Sequence, residues 1–120
     1  MKLLTDEQKA ALKAQSHSKG DSALILVHLV TPILDWHVYL YSGGQLGDTP
    51  FIAEAFVCGR AALGYERVDI SELEATADPR STFVDDDWEP LPVEEQEQRL
   101  TEAYRRDAAL KPWFNHPKRA

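Results

Sequence analysis

The run Ala23-Leu24-Ile25-Leu26-Val27-His28-Leu29-Val30 contains one polar side chain, and it constrains the fold more than any other stretch. It is short, rich in branched side chains and almost continuously apolar. That is the pattern of a strand buried on both faces, which must lie inside a sheet under a covering helix. At this length it cannot span a bilayer. Thr31-Pro32 ends it, since proline has no N–H for a ladder. From Asp35 to Tyr41 the chain alternates instead. Trp36, Val38 and Leu40 go to one side, and Asp35, His37, Tyr39 and Tyr41 to the other.

The rest of the chain supplies partners for these two strands. Ser42-Gly43-Gly44-Gln45-Leu46-Gly47-Asp48 is a glycine-rich turn, Phe51 to Cys58 a third strand closed by Gly59, and Tyr65 to Ile70 a fourth. Short loops between successive strands favour an antiparallel meander over parallel crossovers. Thr5 and Gln8 have the spacing of a capping box for a helix over Asp6 to Gln15. Ser71 is the expected N-cap of a short helix through Ala77, with Glu74 in the capping-box position. Asp78 to Pro92 is irregular apart from one short edge strand near Thr82 to Val84. Pro92 suits the first turn of a last helix, from Val93 to about Leu110, whose apolar stripe is thin. The expected fold is α+β. An antiparallel sheet of about four strands carries an N-terminal helix, a short helix after the fourth strand and a charged C-terminal helix. Residues 1–111 form one domain, and residues 112–120 form an aromatic and basic tail in which Trp113 and Phe114 fold back over the core.

Bulk properties narrow the function classes. A chain of 120 residues suits one continuous core. Acids at Asp6 and Glu7 interrupt the N-terminus before an apolar signal segment can form. Cys58 is the only cysteine, which rules out an internal disulfide and suits a reducing compartment. A cytoplasmic protein with no membrane association is expected. The formal charge is −7, which repels nucleic-acid phosphates and argues against direct nucleic-acid binding. Charge is also unevenly distributed. Between Asp69 and Glu97 eleven acids face one base, Arg80, whereas from Arg99 onward six bases face two acids.

Two groups of residues are candidates for chemistry. With hairpin pairing, His28 and His37 share a face with Asp35 and Tyr39, and Glu54 and Cys58 have matching parity on the third strand. Imidazole, carboxylate and thiolate all suit zinc, although the spacing matches no ligand signature. The alternative is a hydrogen-bonded pair of sheet histidines beneath a helix. Cys58 ends an apolar strand, where a small buried thiol is the usual role. The second group is Asp85-Asp86-Asp87-Trp88-Glu89, continued by Glu94 and Glu95. Consecutive carboxylates fit neither a calcium loop nor a paired acid/base site. One reading is a solvated loop with Trp88 anchored in the core. The other is a binding patch in which Trp88 sits among carboxylates and engages an Arg/Lys-rich groove.

The opening Met1-Lys2-Leu3-Leu4-Thr5, the Thr31-Pro32…Asp35-Trp36…Tyr39 segment, Leu63-Gly64-Tyr65 leading into Ile70-Ser71-Glu72-Leu73-Glu74, and Trp88-Glu89-Pro90-Leu91 occur in that order. In these features the chain resembles a domain-of-unknown-function family of small bacterial proteins encoded on conjugative plasmids, integrative elements and phages. It departs from the family in the Asp85–Asp87 run and in its longer charged helix and tail. That family has no assigned catalytic residues. The resemblance implies a context in which small proteins blunt host restriction and CRISPR immunity. The expected function is therefore a non-enzymatic, cofactor-free anti-defence protein. It would bind a host defence complex having a basic nucleic-acid groove, through a partly DNA-mimicking face made of Asp85, Asp86, Asp87, Trp88, Glu89, Glu94 and Glu95. The alternatives are a small metal-binding protein or enzyme using His28, Asp35 and His37, and a regulatory or scaffolding homodimer formed through the tail or an edge strand.

Overall fold

The buried strand of the sequence forms the interior of a sheet. In the computed structural model, which describes residues 3–15, 23–32, 36–59, 63–76 and 82–110, the strands are β1 (Leu24–Ile25), β2 (Val27–Thr31), β3 (Trp36–Gly44), β4 (Ile52–Cys58), β5 (Leu63–Asp69), β6 (Phe83–Val84) and β7 (Leu91–Pro92). Helices α1 (Asp6–Gln15), α2 (Ile70–Thr76) and α3 (Val93–Leu110) complete the described elements. Among the described residues, five strands make one antiparallel sheet in the order β5-β4-β3-β2-β6, and β1 and β7 form a separate two-stranded ribbon. The fold is α+β, and the four-strand meander is present with β6 added at its edge.

The alternation in β3 sorts the sheet into two packed faces. Val38 and Leu40 join Val27, Leu29, Ala53, Ala55 and Val57 in a core with Leu4, Leu12 and Ile70. On the opposite face Tyr39 and Phe56 cluster with Ile25 and Val93, and Tyr41, Cys58, Trp88 and Leu100 pack around them. β2 is therefore covered on both sides, as its composition demands. Its N-terminal part differs from expectation. The run Ala23 to Val30 is divided at Leu26, where the chain leaves the sheet and pairs Leu24 and Ile25 with Pro92 and Leu91. The Gln15 side chain holds this departure: its Nε2 donates to the carbonyls of Leu24 (2.7 Å) and Tyr41 (2.6 Å), and its Oε1 accepts from Leu24 N–H (2.9 Å).

Helix starts follow local chemistry. Thr5 and Gln8 make the reciprocal capping box, with bonds of 2.8 and 3.0 Å. The second helix corrects the expected cap at Ser71. It begins at Ile70, a fully buried residue that must enter the core, so Asp69 becomes the cap and its carboxylate accepts from Glu72 N–H at 2.9 Å. Glu74 serves another purpose, accepting from the backbone N–H groups of Leu3 (2.7 Å) and Leu4 (3.2 Å) and tying the N-terminal segment to α2. Gly47, at φ 56°, supplies the left-handed residue of the turn between β3 and β4. The tail, residues 112–120, Asp35 and the segment 77–81 lie outside the described residues.

Candidate functional site

The second face of the sheet brings together groups far apart in sequence. Antiparallel register sets His28 opposite Tyr39 and Val30 opposite His37, so His28, His37 and Tyr39 share one surface. The next strand sets Cys58 opposite His37 and Phe56 opposite Tyr39. The shared face of the two histidines is thus as the alternation implies. A bulge between Leu40 and Ser42 shifts the register beyond Tyr39, and Ser42 instead meets Glu54, donating to its carboxylate at 3.1 Å. Glu54 is accordingly engaged away from the histidines. Burial, helped by the Glu54 charge, pushes the Tyr41 phenol above its ordinary range.

The carboxylate that reaches His28 is Asp85. It accepts a hydrogen bond from His28 Nδ1 at 2.8 Å. With that proton on Nδ1, the other nitrogen of neutral His28 carries a lone pair. It lies 3.0 Å from His37 Nδ1, which must therefore donate. The result is a directed chain: His37 N–H to His28, and His28 N–H to the Asp85 carboxylate. Tyr39 stacks almost parallel to His28, with ring centroids 4.6 Å apart, and Trp88 leans on both rings at 5.1 and 5.4 Å. His28 is only 8% exposed.

Asp85 is delivered by a built turn. β6 pairs with β2, the buried hydroxyls of Thr31 and Thr82 meet at 3.0 Å, and Asp85 N–H donates to the His28 carbonyl at 2.9 Å. The other oxygen of Asp85 accepts from Asp87 N–H at 3.0 Å, and the Asp85 carbonyl accepts from Trp88 N–H at 3.2 Å. These bonds form an Asx turn inside a β-turn. Trp88 Nε1–H then donates to the Ile25 carbonyl at 2.9 Å.

The seven residues expected to form a partner surface therefore divide. Asp85 turns inward to His28, and Trp88 is half-buried against the sheet as an anchor. Asp86, Asp87, Glu89, Glu94 and Glu95 are exposed. Among the described residues Glu95 has a cationic partner, Arg99 at 3.0 Å. The metal alternative meets a specific obstacle, because both ring nitrogens of His28 are committed to hydrogen bonds. Among the described residues no group of three or more His, Cys, Asp or Glu side chains is arranged to hold an ion. No described helix is long and apolar enough to cross a membrane.

Electrostatics assigns the resting charges. Burial lowers the His28 pKa below 6.5 and outweighs the raising effect of Asp85, so the ring is neutral at pH 7. The hydrogen bond from His28 holds Asp85 below its ordinary value, keeping it ionised. Both shifts have one consequence for stability. The unfolded chain binds more protons than the folded one, so stability rises with pH in both windows. As pH falls below 6.5 the burial of neutral His28 becomes a cost, which is complete below its lowered folded pKa. Asp85 contributes stability above its unfolded pKa and loses it as pH falls through its lowered folded value. Denaturation midpoints measured from pH 8 to pH 5 are expected to fall, and the fall should flatten in His28→Gln. A midpoint independent of pH across this range would contradict the assignment.

Comparison of the chain with protein-family models, with curated proteins and with solved structures finds no match.

Proposed function

We propose that the chain is a non-enzymatic binding protein whose acidic surface occupies a Lys/Arg-lined groove on a nucleic-acid-processing complex, the target class being host restriction or CRISPR-type defence. The observation that supports this reading is the exposure of Asp86, Asp87, Glu89, Glu94 and Glu95 within ten residues of chain, on a protein of formal charge −7. Hydrogen bonds within the turn fix its backbone, so only side-chain freedom is lost at Asp86, Asp87 and Glu89 when a cationic groove closes over them. Trp88 contributes by anchoring the turn rather than by touching the partner.

The test is competition. The chain is added to an immobilised, purified RNA-guided nuclease complex or restriction complex carrying a labelled DNA duplex, at low and at high salt. Displacement at low salt that weakens steeply as salt rises is the expected result. The variant Asp86→Asn/Asp87→Asn/Glu89→Gln should displace about 3- to 150-fold less well at low salt, each exposed charge pair contributing about 0.2–1 kcal/mol. Its denaturation midpoint should stay within about 0.5 kcal/mol of the parent, since these side chains are solvated. Displacement that ignores salt, or that survives the triple variant, would rule out mimicry. Failure to displace duplex from any such complex would rule out the target class.

A further inference from the structure

We propose that β5 is a docking edge for a second copy of this chain, paired antiparallel about a two-fold axis at Tyr65. Among the described residues the sheet ends at β5 on one side and at β6 on the other. β6 is only two residues long, a common way of protecting an edge. β5 runs for seven residues without proline, and its register with β4 is unbroken from Leu63 to Asp69. Tyr65, Glu66 and Arg67 at its centre are exposed. Gly64 adds an observation that the single chain does not explain. Its φ lies outside the left-handed range, its pair with Val57 carries no bulge, and a Cβ built on it would meet nothing within 4 Å. A glycine inside a regular strand costs stability and often marks a place where another backbone approaches closely.

Backbone direction decides how this edge can pair. The Ile70 N–H donates to the Phe51 carbonyl at 2.9 Å, which continues the β4–β5 register by one step. Alternation along the ladder then turns the N–H and C=O groups of Val68, Glu66 and Gly64 toward β4. Those of Leu63, Tyr65, Arg67 and Asp69 point to the open edge. Two copies can therefore pair antiparallel only with the axis on a residue, never between two. An axis at Glu66 would set two carboxylates directly opposite each other, and one at Arg67 two guanidinium groups. An axis at Val68 runs into α2, and one at Gly64 pairs only Leu63 with Tyr65 on either side. With the axis at Tyr65, no like charges are directly opposed. The stem of Arg67 covers the partner's Leu63, and Glu66 lies over the partner's Gly64, where there is no side chain to displace. The two Tyr65 rings meet at the centre. Each is 48% exposed yet already positioned, against Phe56 at 5.1 Å and by the Glu97 carboxylate at 2.6 Å, as an interface anchor should be. The edge lies across the sheet from β6, which leads into the acidic turn, so pairing here is independent of the function proposed above.

Sedimentation equilibrium of the whole chain, from about 1 μM to about 1 mM, provides the test. Salt at about 0.15 M screens the charge of −7 on each copy beyond about 8 Å. The mass should climb from 13.5 kDa toward twice that value. Gly64→Glu and Gly64→Lys decide the register, because both fill open space yet set opposite charges against the partner's Glu66. Over the two symmetric contacts the dissociation constant should rise about 2- to 30-fold in Gly64→Glu and fall by a similar factor in Gly64→Lys. Neither variant should unfold earlier in urea than the parent, since glycine weakens a strand and the space is open. Arg67→Pro removes an N–H that points away from β4, and should abolish association while the sheet is retained. A constant monomer mass, equal responses to the glutamate and lysine variants, or association that survives Arg67→Pro would each overturn the proposal. Association lost on deleting residues 112–120 would assign the interface to the tail and overturn it as well. None of these outcomes bears on duplex displacement, so a failed edge and a failed function are separable.

Discussion

Phe51→Ala is expected to destabilise the fold by about 3–5 kcal/mol, the range for removing a fully buried aromatic ring. The ring is 1% exposed, sits in the core between the sheet and α1, and lies beneath the ammonium groups of Lys9 and Lys13, each 5.9 Å from its centroid. Part of the loss is therefore cation–π attraction and stem packing rather than area alone. The same ring dictates a glycine. A Cβ at Gly43 would lie 2.6 Å from Phe51 Cε1 and 3.2 Å from the carbonyl oxygen of Ile52, so the buried ring would have to shift. Gly43→Ala should cost about 1–3 kcal/mol through overpacking. In the Phe51→Ala background the clash disappears, and the double mutant should be more stable than the sum of the two losses by at least about 1 kcal/mol. Urea denaturation of the four proteins measures this, and strict additivity would show that the ring and the glycine do not touch.

Trp88→Ala is expected to cost about 2–4 kcal/mol, by two routes that can be separated. The indole packs on His28 and Tyr39, and its N–H satisfies the carbonyl of Ile25, a residue with no exposure. Trp88→Phe keeps most of the packing and strands that carbonyl, so about 1–2 kcal/mol should be lost. Function distinguishes the anchoring role from a contact role. If Trp88 holds the turn, Trp88→Phe should displace duplex as well as the parent, and Trp88→Ala should be weaker because Asp86, Asp87 and Glu89 lose their common orientation. Loss of displacement in Trp88→Phe, with the fold intact, would return Trp88 to the partner surface.

Much of this arrangement is legible in the residues. The continuous apolar run of β2, the alternation of β3 and the Thr5/Gln8 capping box lead directly to observed elements, because each is a local signal with a strong period or a fixed spacing. The shared face of His28 and His37 follows from parity across one hairpin. The partner of His28 does not. Asp85 lies 57 residues away and arrives through a two-residue strand, too short to carry a period. Alternation suggests Asp35 instead, which lies outside the described residues. A signal for the inward turn of Asp85 does exist: aspartate at the first position of a β-turn commonly accepts from the N–H two residues on. Viewed only as one of three like charges, Asp85 reads as solvated, and the conversion of one carboxylate into a structural group is hidden. The second helix shows the same competition at smaller scale. Ser71 has the better capping hydroxyl, but burying Ile70 moves the start of the helix back to Asp69.

The inward tie of the acidic turn is the hydrogen bond from His28 to Asp85, and the protonation of the His28 ring tests its direction most immediately. Two-bond ¹H–¹⁵N correlation spectra at pH 7 report which ring nitrogen carries the proton. The structure predicts a neutral His28 protonated on Nδ1, and a His37 whose Nδ1 also carries a proton, both in the tautomer opposite to the one free histidine favours. A His28 protonated on Nε2 with a bare Nδ1 would mean that Asp85 accepts nothing from it. The turn would then lose its side-chain tie to β2, leaving only its backbone bonds and the Trp88 anchor to present Asp86, Asp87 and Glu89 outward.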